Sequence, residues 1–405
     1  MHSKTIGGIL LVVGTTIGAG MLALPIATAQ LGFWLSSALL IGCWALMTTC
    51  AFLFLEVNLW LPPNTNLISM AGVTLGRWGQ LVAWLAYLIL LYSILSAYIA
   101  GGGDLFHFLL VSRGINIPIS VSSIVFTFLF GFIVYRGIRA VDYVNRGLMF
   151  GKMGAYFLLV LFVLPFITMG NLNSGAFDHV IFPTSLSVTV VAFTCLMIIP
   201  SLRTYFKDDI PALRRVIFLG TLIPLVCYIA WDAVVMGVVP LGGSAGLANM
   251  MHSSSSNSDM VSALTGILQK ERITILAKFF TSICMATSFL SISLCLSDFL
   301  SDGLNVDKSG KGNLLIFGAT FIPPILVVLF YPDAFIRGLH FAGLSCFVLM
   351  ILFPPLMVWS GRYYKSLSSY GGEGVQYRVR GGKVLLGFLI AFAAAMILIS
   401  FQGAA

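Results

Sequence analysis

A glycine-rich segment, Gly14-Thr15-Thr16-Ile17-Gly18-Ala19-Gly20, interrupts the first long apolar run of this 405-residue chain. Apolar residues flank the segment at 6–13 and again at 21–31. Backbone N–H and C=O groups left unpaired within a membrane are tolerated only where they line a cavity or are buried in protein. Because broken helices of this kind place backbone dipoles at the midplane of secondary transporters, the segment favours a transporter.

The composition of the chain indicates membrane integration. Charged residues make up only 9% of the chain and its mean hydropathy is +1.01, whereas a soluble domain carries about 25% charged residues. A membrane-crossing helix needs roughly 17–25 apolar residues. We therefore predict an all-α integral membrane protein that forms one transmembrane domain over 1–405. Its eleven apolar runs lie at 5–31, 34–59, 80–103, 118–134, 147–169, 186–203, 215–239, 275–300, 313–331, 335–359 and 384–401.

The placement of positive charge predicts the orientation of the chain. The net charge is +8, which by itself is compatible with a nucleic-acid partner. If the N-terminus is cytoplasmic, however, most of the 22 Lys and Arg residues fall in cytoplasmic loops, as the positive-inside rule requires. Eleven crossings then place the C-terminus outside. We expect the lipid bilayer, and no nucleic acid, as the partner of this surface.

A second interruption is predicted in the sixth run. The stretch 193–201 contains Pro200, which has no N–H group and clashes with the preceding helical turn. Interruptions in the first and sixth runs predict two five-helix repeats, at about 1–170 and 185–360, of which the second is inverted. That is the plan of LeuT-type transporters, here with an eleventh helix at about 384–401. An ordinary kinked helix remains the alternative for Pro200.

The backbone groups of the first interruption suggest what it binds. The N–H groups of residues 18–20 begin a second half-helix, where the helix dipole favours an anion such as a carboxylate. The C=O groups of residues 15–17 end the first half-helix and favour a cation such as an ammonium group. An α-amino acid carries both charges a few ångströms apart. Close helix packing through small residues is the alternative.

Two charged residues in the predicted spans are candidates for ion coupling, since an ionisable residue at membrane depth is a functional hypothesis by default. Lys152 lies in the fifth run, within Gly151-Lys152-Met153-Gly154. A lysine in such a dry site can exchange a proton near neutral pH, as a proton-coupled carrier requires. A static lysine bonded to carbonyl groups is the alternative. Glu56, near the end of the second run, either relays protons or pairs with a basic residue.

Five motifs together resemble the hydroxy/aromatic amino acid permease family, a branch of the amino acid–polyamine–organocation superfamily. They spread from the first run to the eighth, and eleven spans is the count of that family. The motifs are Gly14-Thr15-Thr16-Ile17-Gly18-Ala19-Gly20-Met21-Leu22-Ala23-Leu24-Pro25, Leu55-Glu56-Val57-Asn58, Ala97-Tyr98-Ile99-Ala100-Gly101-Gly102-Gly103, Ile198-Ile199-Pro200-Ser201-Leu202 and Ala286-Thr287-Ser288-Phe289-Leu290.

The resemblance implies a LeuT-type fold and proton-driven import of tyrosine or a related aromatic amino acid by alternating access in a bacterial inner membrane. It places the substrate between the broken first and sixth helices, with its carboxylate on residues 18–20 and its ammonium near residues 16–17. Phe193 becomes an aromatic gate over the site. Lys152 takes the place of a fifth-helix lysine found in proton-coupled relatives. The hydroxyl groups of Thr287 and Ser288 match those that surround it.

One departure from the family leaves the substrate open. Members often carry Gly-Phe-His-Gly before the Ile-Ile-Pro of the sixth helix, where this chain has Thr194-Cys195-Leu196-Met197. Cys195 thus falls in an altered pocket floor, and we expect the sixth helix to unwind less. Tyrosine, tryptophan, phenylalanine or an aliphatic amino acid remain candidates, and sodium coupling is the alternative to protons. We expect a monomer. We also expect no enzymatic activity, cofactor or metal site, because the sequence shows no cluster of catalytic residues and no spacing typical of metal ligands.

Overall fold

Helices make up nearly all of the described chain. The computed structural model describes residues 2–402 except 64, 177–181, 208, 244–245, 305, 332, 366 and 368–376, and none of the described residues forms a strand. The helices are α1 (His2–Thr16), α2 (Ala19–Ala27), α3 (Gly32–Leu59), α4 (Leu67–Val111), α5 (Ile119–Tyr135), α6 (Ile138–Val163), α7 (Met169–Leu172), α8 (Phe182–Ala192), α9 (Ile199–Phe206), α10 (Ile210–Val238), α11 (Leu247–Met250), α12 (Ser256–Leu268), α13 (Glu271–Leu304), α14 (Gly310–Phe330), α15 (Ala334–Cys346), α16 (Phe353–Tyr363) and α17 (Gly382–Gln402).

The apolar runs of the sequence are helical. Within the described residues, nine helical stretches are long and apolar enough to cross a membrane. Lys4–Thr16 and Ala19–Ala27 form a further candidate span that is bent by 54°, and Ile119–Tyr135 is a shorter apolar helix. Each of the eleven predicted runs is thus occupied by helix, and the prediction of an all-α membrane protein is confirmed.

The third run extends well beyond its predicted start at residue 80. Asn66 caps α4 by accepting a hydrogen bond from the N–H of Ser69 at 2.9 Å. Gly76 then adopts φ 82°, a conformation that residues with a Cβ rarely take. The helix therefore begins among more polar residues, bends at Gly76 and continues as the apolar span.

The interruption of the first run lies where it was predicted. α1 ends at Thr16, and Gly18 precedes α2 with an extended backbone, φ −152° and ψ −153°. Any residue can adopt that conformation. Glycine is needed here for space, because a Cβ on Gly18 would collide with the hydroxyl of Ser288.

The sixth run is also interrupted, but the proline is not the cause. α8 ends at Ala192, a 3₁₀ turn covers Leu196–Ile198, and Pro200 lies in the first turn of α9. A proline at that position is favourable, since the N–H groups of a first turn have no partner within the helix. The backbone of the gap is satisfied locally, with Phe193 N donating to Val190 O at 3.1 Å and Ile198 N to Cys195 O at 3.2 Å. The gap between α8 and α9 therefore forms although this segment contains no glycine.

Helix packing follows a paired pattern. α6 packs against α13, and α15 packs against α4. α4 contacts α5 and α14, while α13 contacts α14 and α5. α2 and α8 pack together at the centre, where every residue of α2 is buried. The two interruptions are thus neighbours in the core of the bundle.

Candidate functional site

A cavity of about 670 Å³ lies beside the interruption of the first helix. Its walls come from α1, α4, α6, α13 and the segment that joins α8 to α9. Gly18, Lys152, Cys195, Thr287 and Ser288 are among the residues that line it. Cavities of roughly 300–1,000 Å³ hold small organic ligands. The volume is therefore ample for an amino acid.

The cavity opens at one end of the bundle. Leu10 and Leu11, in the first half of the broken helix, line it and are 62% and 48% exposed. Asp142 and Arg146 of α6 also line it and form an exposed ion pair at 2.9 Å. In the other direction, every residue of α2 is buried. The cavity is accessible from the end at which α1 begins and is closed beyond the interruption.

Ser288 holds the start of the second half-helix. The N–H of Ala19 donates to Ser288 Oγ at 2.8 Å, which joins α2 to α13 across 269 positions of sequence. This N–H is one of those left without an intrahelical partner at a helix start. The Ser288 hydroxyl is thus an acceptor for the start of the second half-helix, a contact that the sequence analysis did not predict.

Lys152 holds the end of the first half-helix. Its Nζ donates to the carbonyl oxygen of Ile17 at 2.7 Å, and the side chain is only 1% exposed. A hydrogen bond from an ammonium group is roughly twice as strong as one between neutral groups. Lys152 therefore ties α6 to the interruption, at the edge of the cavity.

Tyr228 of α10 joins the two interruptions. Its hydroxyl lies 2.8 Å from the carbonyl oxygen of Thr16, at the end of α1, and 2.8 Å from that of Ala192, at the end of α8. A phenol carries one proton and donates it to one acceptor at a time. Sequence reasoning missed Tyr228, because nothing in its local sequence distinguishes it from a packing aromatic.

The three threonines of the candidate site bond within their own helices. Thr15 Oγ1 donates to Val12 O at 2.8 Å and Thr16 Oγ1 to the same oxygen at 2.7 Å. Thr287 Oγ1 donates to Ile283 O at 2.9 Å. Back-bonding of this kind is the usual state of a threonine in a membrane helix. Thr15, Thr16 and Thr287 line the cavity nonetheless.

Phe193 and Cys195 occupy different positions in the sixth interruption. Cys195 lines the cavity and is buried. Phe193 is buried with its ring edge-on to Tyr228, with centroids 5.2 Å apart. Of the described residues in this segment, Ala192 and Thr194 line the cavity, whereas Phe193 between them does not. Phe193 packs against Tyr228 and is separated from the open space.

Glu56 lies away from the cavity in a buried ion pair. Its carboxylate accepts from Arg362 Nε at 2.7 Å and from Nη2 at 2.6 Å. The backbone N–H of Val379 donates to the same group at 2.8 Å. Both charged side chains are almost fully buried. This geometry agrees with the ion-pair interpretation of Glu56, which anchors the connection to α17.

Asp232 is a second residue that sequence reasoning missed. It lies within the seventh run, and it is fully buried, with 0% exposure. No donor among the described residues reaches either of its carboxylate oxygens. The signal was present in the sequence, since an ionisable residue at membrane depth is rare. Among all the residues that the structure describes, no group of three or more His, Cys, Asp or Glu residues could hold a metal ion.

Comparisons with known proteins agree on one family. The Tryptophan/tyrosine permease family matches residues 1–400. Tyrosine-specific transport system 1 of Haemophilus influenzae is 32% identical, over 95% of this chain and 93% of its own length. Glutamine transporter 2 of Aliivibrio fischeri is 30% identical, over 97% and 98% of the two chains. The tryptophan-specific transport protein of Haemophilus influenzae is 29% identical, over 96% and 93%.

Proposed function

Because the chain belongs to the tryptophan/tyrosine permease family, we propose that it imports tyrosine or a related aromatic amino acid by proton symport. The family and these relatives are transporters, not enzymes. The observation that carries the proposal is the interrupted first helix at the cavity, with buried Lys152 on its Ile17 carbonyl. In this proposal the protein is a monomer of the bacterial inner membrane, with its N-terminus in the cytoplasm and its C-terminus in the periplasm.

The proposed architecture is a LeuT-type fold of two inverted five-helix repeats, about 1–170 and 185–360, followed by α17. Helix packing supports it. If α1 with α2 is span 1, and α8 with α9 is span 6, then α6 and α13 are spans 5 and 8, and α15 and α4 are spans 10 and 3. In such a repeat, span 5 corresponds to span 10 and span 3 corresponds to span 8, so the packed pair of spans 5 and 8 corresponds to the packed pair of spans 10 and 3. The contacts of α5 with α4 and α13 correspond in the same way to those of α14 with α13 and α4.

We place the amino acid between the two interruptions. Its carboxylate would lie on the N–H groups of residues 18–20, because a helix start favours an anion. Its ammonium would lie on the carbonyl groups of residues 15–17. Ser288, Tyr228 and Lys152 bond groups of this segment in the structure. At these three groups, substrate binding then exchanges bonds to side chains for bonds to substrate.

Lys152 is the proposed coupling residue, with the hydroxyls of Thr287 and Ser288 nearby. A hydrogen bond to a charged group contributes about 1.5–3 kcal/mol, against about 0.5–1.5 kcal/mol for a neutral one. Loss of the proton from Lys152 therefore weakens the attachment of α6 to the interruption. The first half-helix is then freer to move relative to α6. Proton release and the change of access are coupled in this way.

The access path supports an inward-facing conformation. The cavity opens at the end where α1 begins, which is the cytoplasmic side under the positive-inside rule. Phe193 would act as the aromatic gate, closed against Tyr228 in this state. Alternating access then requires opening of the buried side around α2 and closure of the exposed side around Leu10.

Uptake of labelled tyrosine into proteoliposomes tests the proposal. One set of vesicles receives a proton gradient, a second a sodium gradient and a third neither. Unlabelled phenylalanine, tryptophan, leucine and glutamine compete for uptake. Accumulation driven by protons and blocked mainly by aromatic amino acids is the expected result. Absence of accumulation with protons would refute proton symport, and equal competition by leucine would refute aromatic selectivity.

A sodium-coupled or broader-specificity neutral amino acid transporter is the second candidate. The glutamine transporter among the relatives favours it, as does the altered segment Thr194-Cys195-Leu196-Met197 in the sixth interruption. Sodium-driven accumulation in the same assay would assign coupling to Thr287 and Ser288. Strong competition by glutamine would assign the broader specificity.

A further inference from the structure

A buried carboxyl group lies on the closed side of the interrupted first helix. Asp232 belongs to α10, one helical turn after Tyr228, which is about 6 Å along the axis. α10 begins shortly after α9, and Ser201 of α9 lines the open cavity. Asp232 is therefore displaced from Tyr228 in the direction away from the open end. It is on the side where α2 packs against α10.

The surroundings of Asp232 fit the neutral acid. The side chain is 0% exposed, and no donor from the described chain reaches its two oxygens. An unpaired charge in a dry interior costs several kcal/mol, far more than a neutral polar group. The adjacent Trp231 packs edge-on against Phe280, and Tyr156 packs against the same ring. Aromatic packing therefore lies beside the helical turn that carries the buried acid.

Few titratable groups of the described residues lie near Asp232. Tyr156 of α6 interacts electrostatically with it and donates its hydroxyl proton to Cys227 O at 2.8 Å. Lys152 lies one turn before Tyr156 on α6, and Tyr228 lies one turn before Asp232 on α10. The remaining charged residues on the helices packed against α10 are exposed or bonded elsewhere. The exposed ones, at the surface or the cavity mouth, are Lys4, Arg139, Asp142 and Arg146. The others have partners of their own: Glu56 bonds Arg362, Arg203 bonds the carbonyl groups of Asn58 and Leu61, and Asp259 bonds Ser253 and Ser255.

We propose that Asp232 is a second proton-binding residue of the transport cycle, which holds a proton in the conformation seen here and is reloaded when the closed side opens. On exposure, the carboxylate binds one proton from that solution and becomes the carboxylic acid. After the side closes, the acid gives one proton to the neutral amine of Lys152 and returns to a carboxylate, and the resulting ammonium of Lys152 releases one proton to the open cavity. The inference rests on the proposed function. It adds to Lys152, which lies at the open cavity, a buried site on the side of the opposite solution.

Asp232→Asn is the informative variant, because asparagine has the shape and hydrogen-bonding groups of the protonated acid but cannot release a proton. We expect it to fold and to keep exchange of labelled for unlabelled tyrosine within about twofold of wild type. A pH difference of about two units supports ~100-fold accumulation per coupled proton, since each 1.4 kcal/mol is a factor of ten. We expect accumulation of tyrosine by Asp232→Asn to be at least tenfold lower than accumulation by wild type. Asp232→Glu, which keeps a carboxyl, should recover part of it.

Asp104→Asn is the matched control, because it makes the same chemical change in a buried carboxyl that does have donors. Asp104 accepts from the N–H groups of Asn257 at 3.1 Å and Ser258 at 2.9 Å, and from the Ser258 hydroxyl. These contacts hold the start of α12 to α4. In the Asp104→Asn variant, the ratio of proton-driven accumulation to exchange should equal that of wild type.

Infrared difference spectroscopy of the reconstituted protein supplies a readout that does not depend on transport. A carbonyl stretching band of a protonated carboxylic acid should be present in wild type and absent in Asp232→Asn. An unchanged band overturns the proposal, as does full proton-driven accumulation in Asp232→Asn. If wild type shows no proton-driven accumulation, the proposed function has failed and the role in the cycle fails with it, while the band still reports whether Asp232 binds a proton.

Discussion

Replacement of Lys152 by methionine tests the proposed coupling with little change in packing. Methionine retains the apolar stem but removes the ammonium group that bonds Ile17 O at 2.7 Å. The lost bond is worth about 1.5–3 kcal/mol. Burial of the charge on this 1% exposed side chain costs a comparable several kcal/mol, which the variant no longer bears. We therefore expect the unfolding temperature in detergent to stay close to that of wild type.

Transport, in contrast, should lose its driving force. With one proton per substrate, a pH difference of about two units supplies ~2.7 kcal/mol, which is ~100-fold accumulation. Without a proton on residue 152, tyrosine should only equilibrate across the vesicle membrane. Counterflow, in which internal unlabelled tyrosine exchanges with external labelled tyrosine, requires no net proton movement and should persist.

Proteoliposome uptake with and without the pH gradient, beside counterflow, measures both effects. Lys278→Met is the matched control, because Lys278 is a half-buried lysine of α13 whose ammonium group lies 4.6 Å from the ring centre of Phe108, outside the cavity. It should accumulate tyrosine as wild type does. Full pH-dependent accumulation by Lys152→Met would refute the assignment of coupling to Lys152.

Three further substitutions test individual contacts. Gly18→Ala should lower substrate affinity about 5–150-fold, which is about 1–3 kcal/mol, because the new Cβ collides with the Ser288 hydroxyl; equilibrium binding should improve in the Gly18→Ala/Ser288→Ala double variant, and no improvement would contradict the steric reason. Glu56→Gln should lower the free energy of unfolding by about 3–5 kcal/mol, because it leaves Arg362 buried without its counter-charge; an unchanged denaturation curve would show that the pair is not stabilising. Tyr228→Phe should lower the free energy of unfolding by about 1–3 kcal/mol, because the buried carbonyl groups of Thr16 and Ala192 lose their donor; an unfolding temperature equal to that of wild type would contradict this.

Much of the fold was predictable from hydropathy and from two local interruptions. The eleven runs became helices because apolar length decides membrane-spanning helices. The first interruption was located from Gly18 and its neighbours, although the reason for glycine is the space taken by Ser288. The second was located from Pro200, which lies in the first turn of α9 and does not cause the break. Local sequence thus indicated the positions better than the causes.

The contacts of the site were less predictable, because they join residues far apart in the chain. Ser288 and Lys152 came into the prediction through family resemblance and the rarity of membrane-embedded charge. Tyr228 has no such signal, since its role depends on two carbonyl groups that become neighbours only after folding. Asp232 did carry the signal, and a complete search for charges within the predicted spans would have found it.

The single hydrogen atom of the Tyr228 hydroxyl makes the two half-helix ends competitors. When it points to Thr16 O, the end of α8 lacks this donor, and when it points to Ala192 O, the end of α1 lacks it. Rotation about the C–O bond of Tyr228 therefore decides whether the end of α1 or the end of α8 receives the hydrogen bond, and it breaks no packing contact. Because both acceptors lie 2.8 Å from the hydroxyl, a displacement of either half-helix end away from Tyr228 favours the hydrogen bond to the other end.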